Sequence, residues 1–218
     1  AQGDLSFALH QGHGEFPRVV ASPGTASEAY AVAAELMGLA WAFQIPALLL
    51  TEKHLSESRM TVAIPDGLPT AVAPREGRGE GDYRRYAITP SGVSPMAFAP
   101  SKSLVKWTSY EHDEVGITTE DASVIARMQE KRLRERDGLV EALRGTRTVN
   151  RFGSGRNVIV TYGSTTMSVL EAVDAGGLDG VRVVQPVYLE PFPAWEFEDL
   201  DGRDVIVVEQ SCASQLAT

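Results

Sequence analysis

The sequence predicts an α/β fold, and three observations carry that reading. Short runs that are apolar on both faces recur along the chain, as in Asn157-Val158-Ile159-Val160-Thr161, Val181-Arg182-Val183-Val184-Gln185-Pro186 and Asp204-Val205-Ile206-Val207-Val208. Such runs suit strands of a parallel sheet that helices cover on both sides. Two of them open into small, polar helix starts, Tyr162-Gly163-Ser164-Thr165-Thr166 and Glu209-Gln210 before Cys212 to Leu216. Helical patterns alternate with the runs, as crossover connections between parallel strands require.

The elements follow in order. Arg18-Val19-Val20-Ala21 reads as a strand, and Ser22-Pro23-Gly24-Thr25 as a turn into a helix whose apolar side carries Ala26, Ala29, Tyr30, Ala33, Leu36, Met37, Ala40 and Trp41. Gln44-Ile45-Pro46 ends that helix, Ala47-Leu48-Leu49-Leu50-Thr51 is the next buried strand, and Met60 to Ile64 is a candidate third. Two or three strands with one long helix leave an edge and a face uncovered, which isolated domains rarely tolerate. The sequence therefore reads as the later part of a domain, with Ala1-Gln2-Gly3-Asp4 as a start cut from something longer.

Residues 66–107 hold Pro69, Pro74, Pro90, Pro95 and Pro100 among glycines and charges, and read as a connector with a candidate strand over Tyr83 to Ile88. Glu120 to Leu143 is a helix with Thr118 and Asp121 at its start and Gly145 at its end. Its apolar stripe of Val124, Ile125, Met128, Leu133, Val140 and Leu143 is imperfect. Arg127, Lys131, Arg132, Arg134 and Arg136 crowd its middle and read as a solvated face paired with Glu130, Glu135 and Glu141, or else as a docking surface. The remaining strands and helices fill 108–218, so the chain divides into 1–65, 66–107 and 108–218.

Composition narrows the function classes. A formal net charge of -9 disfavours a nucleic-acid surface. The single cysteine, Cys212, excludes an internal disulfide and a four-cysteine cluster within these 218 residues, and suits a reducing cytoplasm. No apolar run approaches the ~20 residues that span a bilayer.

Candidate chemistry is dispersed. Gly12-His13-Gly14-Glu15 lies just before a strand, and its flanking glycines suit a backbone that approaches another surface, with His13 as a polar contact or a simple loop histidine. His10 and His13 supply too few ligands for a metal. Glu111-His112-Asp113-Glu114 gathers metal-capable residues, yet acids before a helix favour its N-terminus and His112 can bridge packed loops. Gly163-Ser164-Thr165-Thr166 lacks the lysine of a phosphate loop and reads as a cap. Cys212 near a helix start has no histidine beside it in sequence. No metal site is expected.

The order of these motifs is more telling than any one of them. Gly3-Asp4-Leu5, Gly12-His13-Gly14-Glu15, Leu55-Ser56-Glu57-Ser58, Glu111-His112-Asp113-Glu114 with Gly116, the Met128 to Arg132 helix, Tyr162-Gly163-Ser164, Gln185-Pro186 with Pro191-Phe192-Pro193, and Val208-Glu209-Gln210 with Gln215-Leu216-Ala217 together resemble the α subunit of 2-oxoacid:ferredoxin oxidoreductases, in their 2-oxoglutarate branch. The resemblance implies the later part of a thiamine-diphosphate pyrimidine-binding domain over 1–65, then a transketolase C-terminal-like three-layer α/β domain over 108–218. It implies thiamine diphosphate with Mg at the interface with a β subunit, an iron–sulfur cluster in a partner or in another region, and ferredoxin, a 2-oxoacid and coenzyme A as reactants. It also implies that the cofactor-activating glutamate precedes Ala1, and that the central fragment alone binds no cofactor and is inactive. Gly12, His13, Gly14 and Glu15 become cofactor- or substrate-proximal, while His112, Asp113, Glu209 and Gln210 become domain or subunit interface residues. Ser214 stands where relatives tend to have glycine. The competing readings are a non-catalytic assembly module and a transketolase-like enzyme without ferredoxin.

Overall fold

Val19, Val20 and Ala21 are wholly buried, which only a strand covered on both faces achieves. They form β1 at the centre of a three-stranded sheet in the computed structural model, which describes residues 4–63, 67 and 81–217. In chain order the elements are α1 (Asp4–His10), β1 (Val19–Ala21), α2 (Ala26–Phe43), β2 (Ala47–Leu49), α3 (Lys53–Glu57), α4 (Ala122–Arg144), β3 (Val149–Phe152), β4 (Asn157–Thr161), α5 (Thr165–Ala175), β5 (Val181–Pro186), β6 (Tyr188–Glu190) and β7 (Val205–Val208).

The two sheets run β2-β1-β6 and β3-β5-β4-β7. The pairs β1–β2, β4–β5 and β4–β7 are parallel, whereas β1–β6 and β3–β5 are antiparallel. The architecture is therefore α/β with mixed sheets rather than parallel ones throughout. The antiparallel members are edge strands, and β6 covers the edge of β1 that the first 65 residues leave open. Only Val187 separates β5 in one sheet from β6 in the other. That corner is pinned on both sides: Val187 N–H donates to Thr148 O at 2.9 Å, and Ser22 N–H donates to Val187 O at 2.7 Å.

Thr25 Oγ1 caps α2 by accepting from Glu28 N–H, and Gln44 ends it in the left-handed region at φ 56°. The helix is apolar on most sides, so periodicity misplaced its buried face. Val32 and Leu36 with Leu39 and Phe43 meet the core, while Tyr30, Met37 and Trp41 are exposed. Against them pack Leu139 and Leu143 of α4, with Val187 and Tyr188, in one core shared by both halves of the chain. Tyr188 is fully buried and its hydroxyl donates to Glu35 Oε2 at 2.8 Å.

Asp121, not Thr118, caps α4, accepting from Ser123 and Val124 N–H. Its buried line is Met128, Lys131, Glu135, Leu139 and Leu143, so the gap in the apolar stripe is filled by a lysine and a glutamate that both lie inside. Leu133 is 61% exposed. The solvated-face reading thus fails for Lys131 and Glu135, which pack beneath the loop around Gly92. At φ +78° that glycine comes so near α4 that an added Cβ would lie 2.5 Å from Lys131 O and 2.6 Å from Glu135 N.

Two strand expectations are corrected. Residues 60–63 form no strand, and Ile64 lies outside the described residues. Tyr83 to Ile88 forms a turn, because Ala87 N–H closes on Arg84 O and Tyr86 N–H donates to Glu114 O rather than to a neighbouring strand.

Candidate functional site

A cleft of about 530 Å³ opens between the loop before β1, the C-terminal end of α2, the segment 108–112 and the middle of α4. It brings together His13, Gly14 and Glu15 with His112, four of the residues singled out from sequence. Gly12 does not line it. At φ +103° Gly12 turns the loop onto Phe16, whose ring would lie 2.9 Å from an added Cβ. Phe16 in turn stacks under the Arg18 guanidinium at 4.6 Å, and Arg18 Nη1 donates to Ala8 O at 3.0 Å, anchoring the loop to α1. His13, Gly14 and Glu15 are exposed at the rim. A neighbouring hollow of about 470 Å³, between α1 and α4, shares the Gly14 to Pro17 wall.

The acids of the Glu111 to Glu114 motif are each engaged by protein groups. Glu111 takes a bidentate contact from Arg132 (Nη1 to Oε1 2.8 Å, Nη2 to Oε2 3.0 Å) and a third bond from Gln129 Nε2 at 2.9 Å. The Arg132 hydrogen bond holds its carboxyl below the ordinary range. Asp113 Oδ1 accepts from Val115 and Ile117 N–H at 3.0 and 2.9 Å, and so shapes its own turn rather than the cleft. Glu114 accepts from Ile88 N–H at 2.9 Å and pairs with Arg84 at 3.3 Å. Among the described residues no three His, Cys, Asp or Glu side chains converge as metal ligands.

His112 and residues that sequence reading did not assign to a site line the floor. His112 is 5% exposed, its ring 3.8 Å from that of Tyr86, and its Nδ1 is buried without a partner. Burial, then the charge of Arg132, lowers its pKa. Beside it lie Arg85, Lys131 and Glu135. Burial lowers the Lys131 pKa and raises that of Glu135 to about 7. The interruption of the α4 stripe at 131 and 135 was the available signal. Arg85 comes from a distant segment and left none.

Glu209 and Gln210 lie elsewhere. Both Glu209 carboxylate oxygens accept from Leu216 N–H, at 3.1 and 3.2 Å. Gln210 lines a smaller cavity of about 160 Å³ with Glu52, Tyr162 and Thr165. There Glu52 takes Ser164 N–H on both oxygens at 3.1 Å, capping α5 from across the sheets, while the Ser164 side chain makes no capping bond. The Gly163 turn is thus already matched to an anion within the chain, which answers the phosphate question there. Burial raises the Tyr162 pKa, with Glu209, Glu52 and Asp4 adding to it. Cys212 is exposed.

An α/β chain with mixed sheets and a loop-built cleft at its centre defines a domain class shared by many enzymes, and comparison with known proteins makes it specific. Residues 1–131 match the family described as pyruvate flavodoxin/ferredoxin oxidoreductase, thiamine diphosphate-binding, and the chain belongs to that family. The α subunit of 2-oxoacid:ferredoxin oxidoreductase 2 from Aeropyrum pernix is 34% identical over 226 residues, which cover 99% of this chain and 35% of that one. The 2-oxoglutarate synthase subunit KorA of Methanothermobacter marburgensis is 24% identical over 225 residues, 97% of this chain and 57% of that one. The 2-oxoglutarate:ferredoxin oxidoreductase of Magnetococcus marinus, solved with 2-oxoglutarate, coenzyme A and succinyl-CoA bound, superposes with a TM-score of 0.86 at 26% identity over 98% of this chain and 38% of that one. This chain therefore spans about a third of the Aeropyrum subunit and of the Magnetococcus chain.

The family implies thiamine diphosphate. A diphosphate with its cation needs free backbone N–H groups and spare carboxylates. Here Glu52 occupies the N–H at the start of α5, Glu111 is held by Arg132 and Glu209 by Leu216. Neither the start of α5 nor these three carboxylates is free to hold the diphosphate end of the cofactor.

Proposed function

We propose that this chain is part of the α subunit of a 2-oxoglutarate:ferredoxin oxidoreductase. The supporting observation is family membership together with the likeness, along nearly its whole length, to an enzyme solved with 2-oxoglutarate and coenzyme A. In this reading the 2-oxoacid and coenzyme A become an acyl-coenzyme A, carbon dioxide and a proton. Two electrons pass to two ferredoxin molecules through an iron–sulfur cluster carried by a partner or another region. Thiamine diphosphate, held with Mg between α and β subunits, supplies the electron sink for decarboxylation. Residues 1–65 and 108–218 are then pyrimidine-binding and transketolase C-terminal-like units, and the assembly works in the cytoplasm.

This chain's own part is to wall and position. The Gly12 to Glu15 loop is the cofactor- or substrate-proximal segment, with exposed His13 able to reach a substrate carboxylate or a supporting loop. His112, Asp113, Glu209 and Gln210 order the surfaces against neighbouring domains or subunits. The test is turnover by the full α subunit assembled with β, comparing 2-oxoglutarate with pyruvate in coenzyme A-dependent ferredoxin reduction. Absence of turnover on every 2-oxoacid, with thiamine diphosphate and Mg supplied, would refute the oxidoreductase reading, and a preference for pyruvate would refute the 2-oxoglutarate assignment. His13→Ala in the same assembly should lower turnover about tenfold, ~1.4 kcal/mol of transition-state stabilisation, with little change in melting temperature. Normal turnover with early melting would make His13 a packing residue.

A further inference from the structure

We propose that the cleft above the middle of α4 is an anion-binding site, which takes a small organic carboxylate or phosphate through Lys131, Arg85 and His112. Lys131 is 6% exposed, makes no hydrogen bond and no contact ion pair among the described residues, and has its charge opposed at longer range by Glu135, one turn along α4. Arg85 stacks with its guanidinium 5.0 Å from the Tyr86 ring and 5.9 Å from that of Trp107, and its Nε is buried without an acceptor among the described residues. His112 Nδ1 is likewise buried without a partner among the described residues. Buried polar groups are ordinarily satisfied, and buried charges ordinarily paired. Three nitrogen groups from three separate segments facing one cleft, two of them cationic, describe a site completed by something rich in acceptors.

The carboxylates already present do not complete it. Glu111 is consumed by Arg132 and Gln129. Glu135, 7% exposed, forms no hydrogen bond or contact pair among the described residues. Facing it are Lys131 and Arg132 on its own helix and Arg85 from the loop segment. Glu111 and His112, with Glu15 and His13 from the loop before β1, line the same cleft. With its pKa raised to about 7 by burial, Glu135 is uncharged in a large fraction of molecules near neutrality, which leaves the floor with surplus positive charge. An anion bound there offsets that charge and pushes Glu135 further toward its protonated form, so binding takes up a proton. A volume near 530 Å³ is ample for an organic acid, and it is larger than a bare phosphate needs.

This inference stands apart from the oxidoreductase reading, because its test needs no turnover. Succinate and, separately, inorganic phosphate are titrated calorimetrically into the full-length subunit at pH 7, in two buffers of different ionisation enthalpy. The expected result is saturable binding of at least one, with proton uptake, weakened tenfold or more in both Lys131→Met and Arg85→Gln. The better ligand identifies the carboxylate or the phosphate as the natural group. Glu135→Gln should bind with less proton uptake than the native subunit, the remainder falling to His112. Should Lys131→Met fail to fold, the half-buried Arg85→Gln decides alone. No saturable binding of either titrant, binding unaffected by Arg85→Gln, or binding by the native subunit without proton uptake would each overturn the proposal.

Discussion

Glu28 is the residue whose removal should cost this fold most for a single polar side chain. It sits in the first turn of α2 with a side chain 9% exposed, and it serves three donors. Gly24 N–H reaches Oε2 at 2.7 Å, Gln185 Nε2 reaches Oε2 at 3.0 Å, and Asn150 Nδ2 reaches Oε1 at 2.6 Å. These partners belong to the turn after β1, to β5 and to β3, so one carboxylate ties the first sheet to both antiparallel partners of the second. In Glu28→Ala, Gly24 N–H and Gln185 Nε2 lose their acceptor, while Asn150 keeps Gln185 Oε1 at 3.1 Å. Two buried donors left unsatisfied at about 1–3 kcal/mol each give an expected loss of about 4 kcal/mol. Arg147, 3.9 Å away and 72% exposed, adds little. Glu28→Gln keeps one acceptor oxygen and should lose about half as much. At roughly 2–4 °C per kcal/mol for a chain of this size, Glu28→Ala lowers the melting temperature by about 8–16 °C. Urea unfolding followed by tryptophan fluorescence, with hydrogen exchange at the Gly24 amide, measures both effects. A loss under ~1 kcal/mol with unchanged Gly24 protection would show that water replaces the carboxylate, and the reasoning would fail.

Three further outcomes follow from local geometry. Gly92→Ala places a Cβ against α4 backbone at a positive φ, so it should cost about 3 kcal/mol and expose residues 81–107 to protease, whereas an unchanged digestion pattern would deny the close approach. Ser214 sits at φ 51°, so Ser214→Gly should raise stability by about 0.5–1 kcal/mol; a loss would mean that the serine side chain contributes more than its backbone costs. Between its ordinary 4.5 and about 7, Glu135 holds its proton in the folded state and releases it on unfolding, so its share of stability is greatest at low pH and declines as pH rises through that window. His112, lowered from 6.5 by burial, acts in the opposite sense and loses stability as pH falls. Glu135→Gln should therefore stabilise the protein above pH 7 by up to about 3 kcal/mol and leave a stability that rises with pH between 5 and 7; an unaltered pH profile would place Glu135 in contact with water.

The sequence made legible those elements whose apolar runs or helix ends are strong. Val19 to Ala21, the α2 start at Thr25, and the runs at 157, 181 and 204 all form the expected elements. β6 was invisible because three residues beside prolines carry no period, and β3 because Arg151 stands exposed in its middle. Tyr83 to Ile88 has strand-like side chains, but Glu114 binds its backbone into a turn. The seven residues of α1 were hidden among glycines, with only Leu5 and Ala8 buried. In the cleft, the glycine-flanked histidine and the acidic motif marked two walls. The third wall depends on Arg85 and Lys131 lining one cleft from distant segments, a juxtaposition with no local trace.

The one-residue corner at Val187 makes the two halves of this chain mutually dependent in a way that a linear division into segments conceals. β6 belongs by sequence to the second half and by hydrogen bonding to the first, and Tyr188 completes a core that α2 cannot close alone. A backbone break placed between residues 63 and 81 should leave two polypeptides that stay together through that strand and co-purify. Expressing residues 1–65 without the rest would leave β1 with an open edge, the kind of surface that draws another chain into the vacant position.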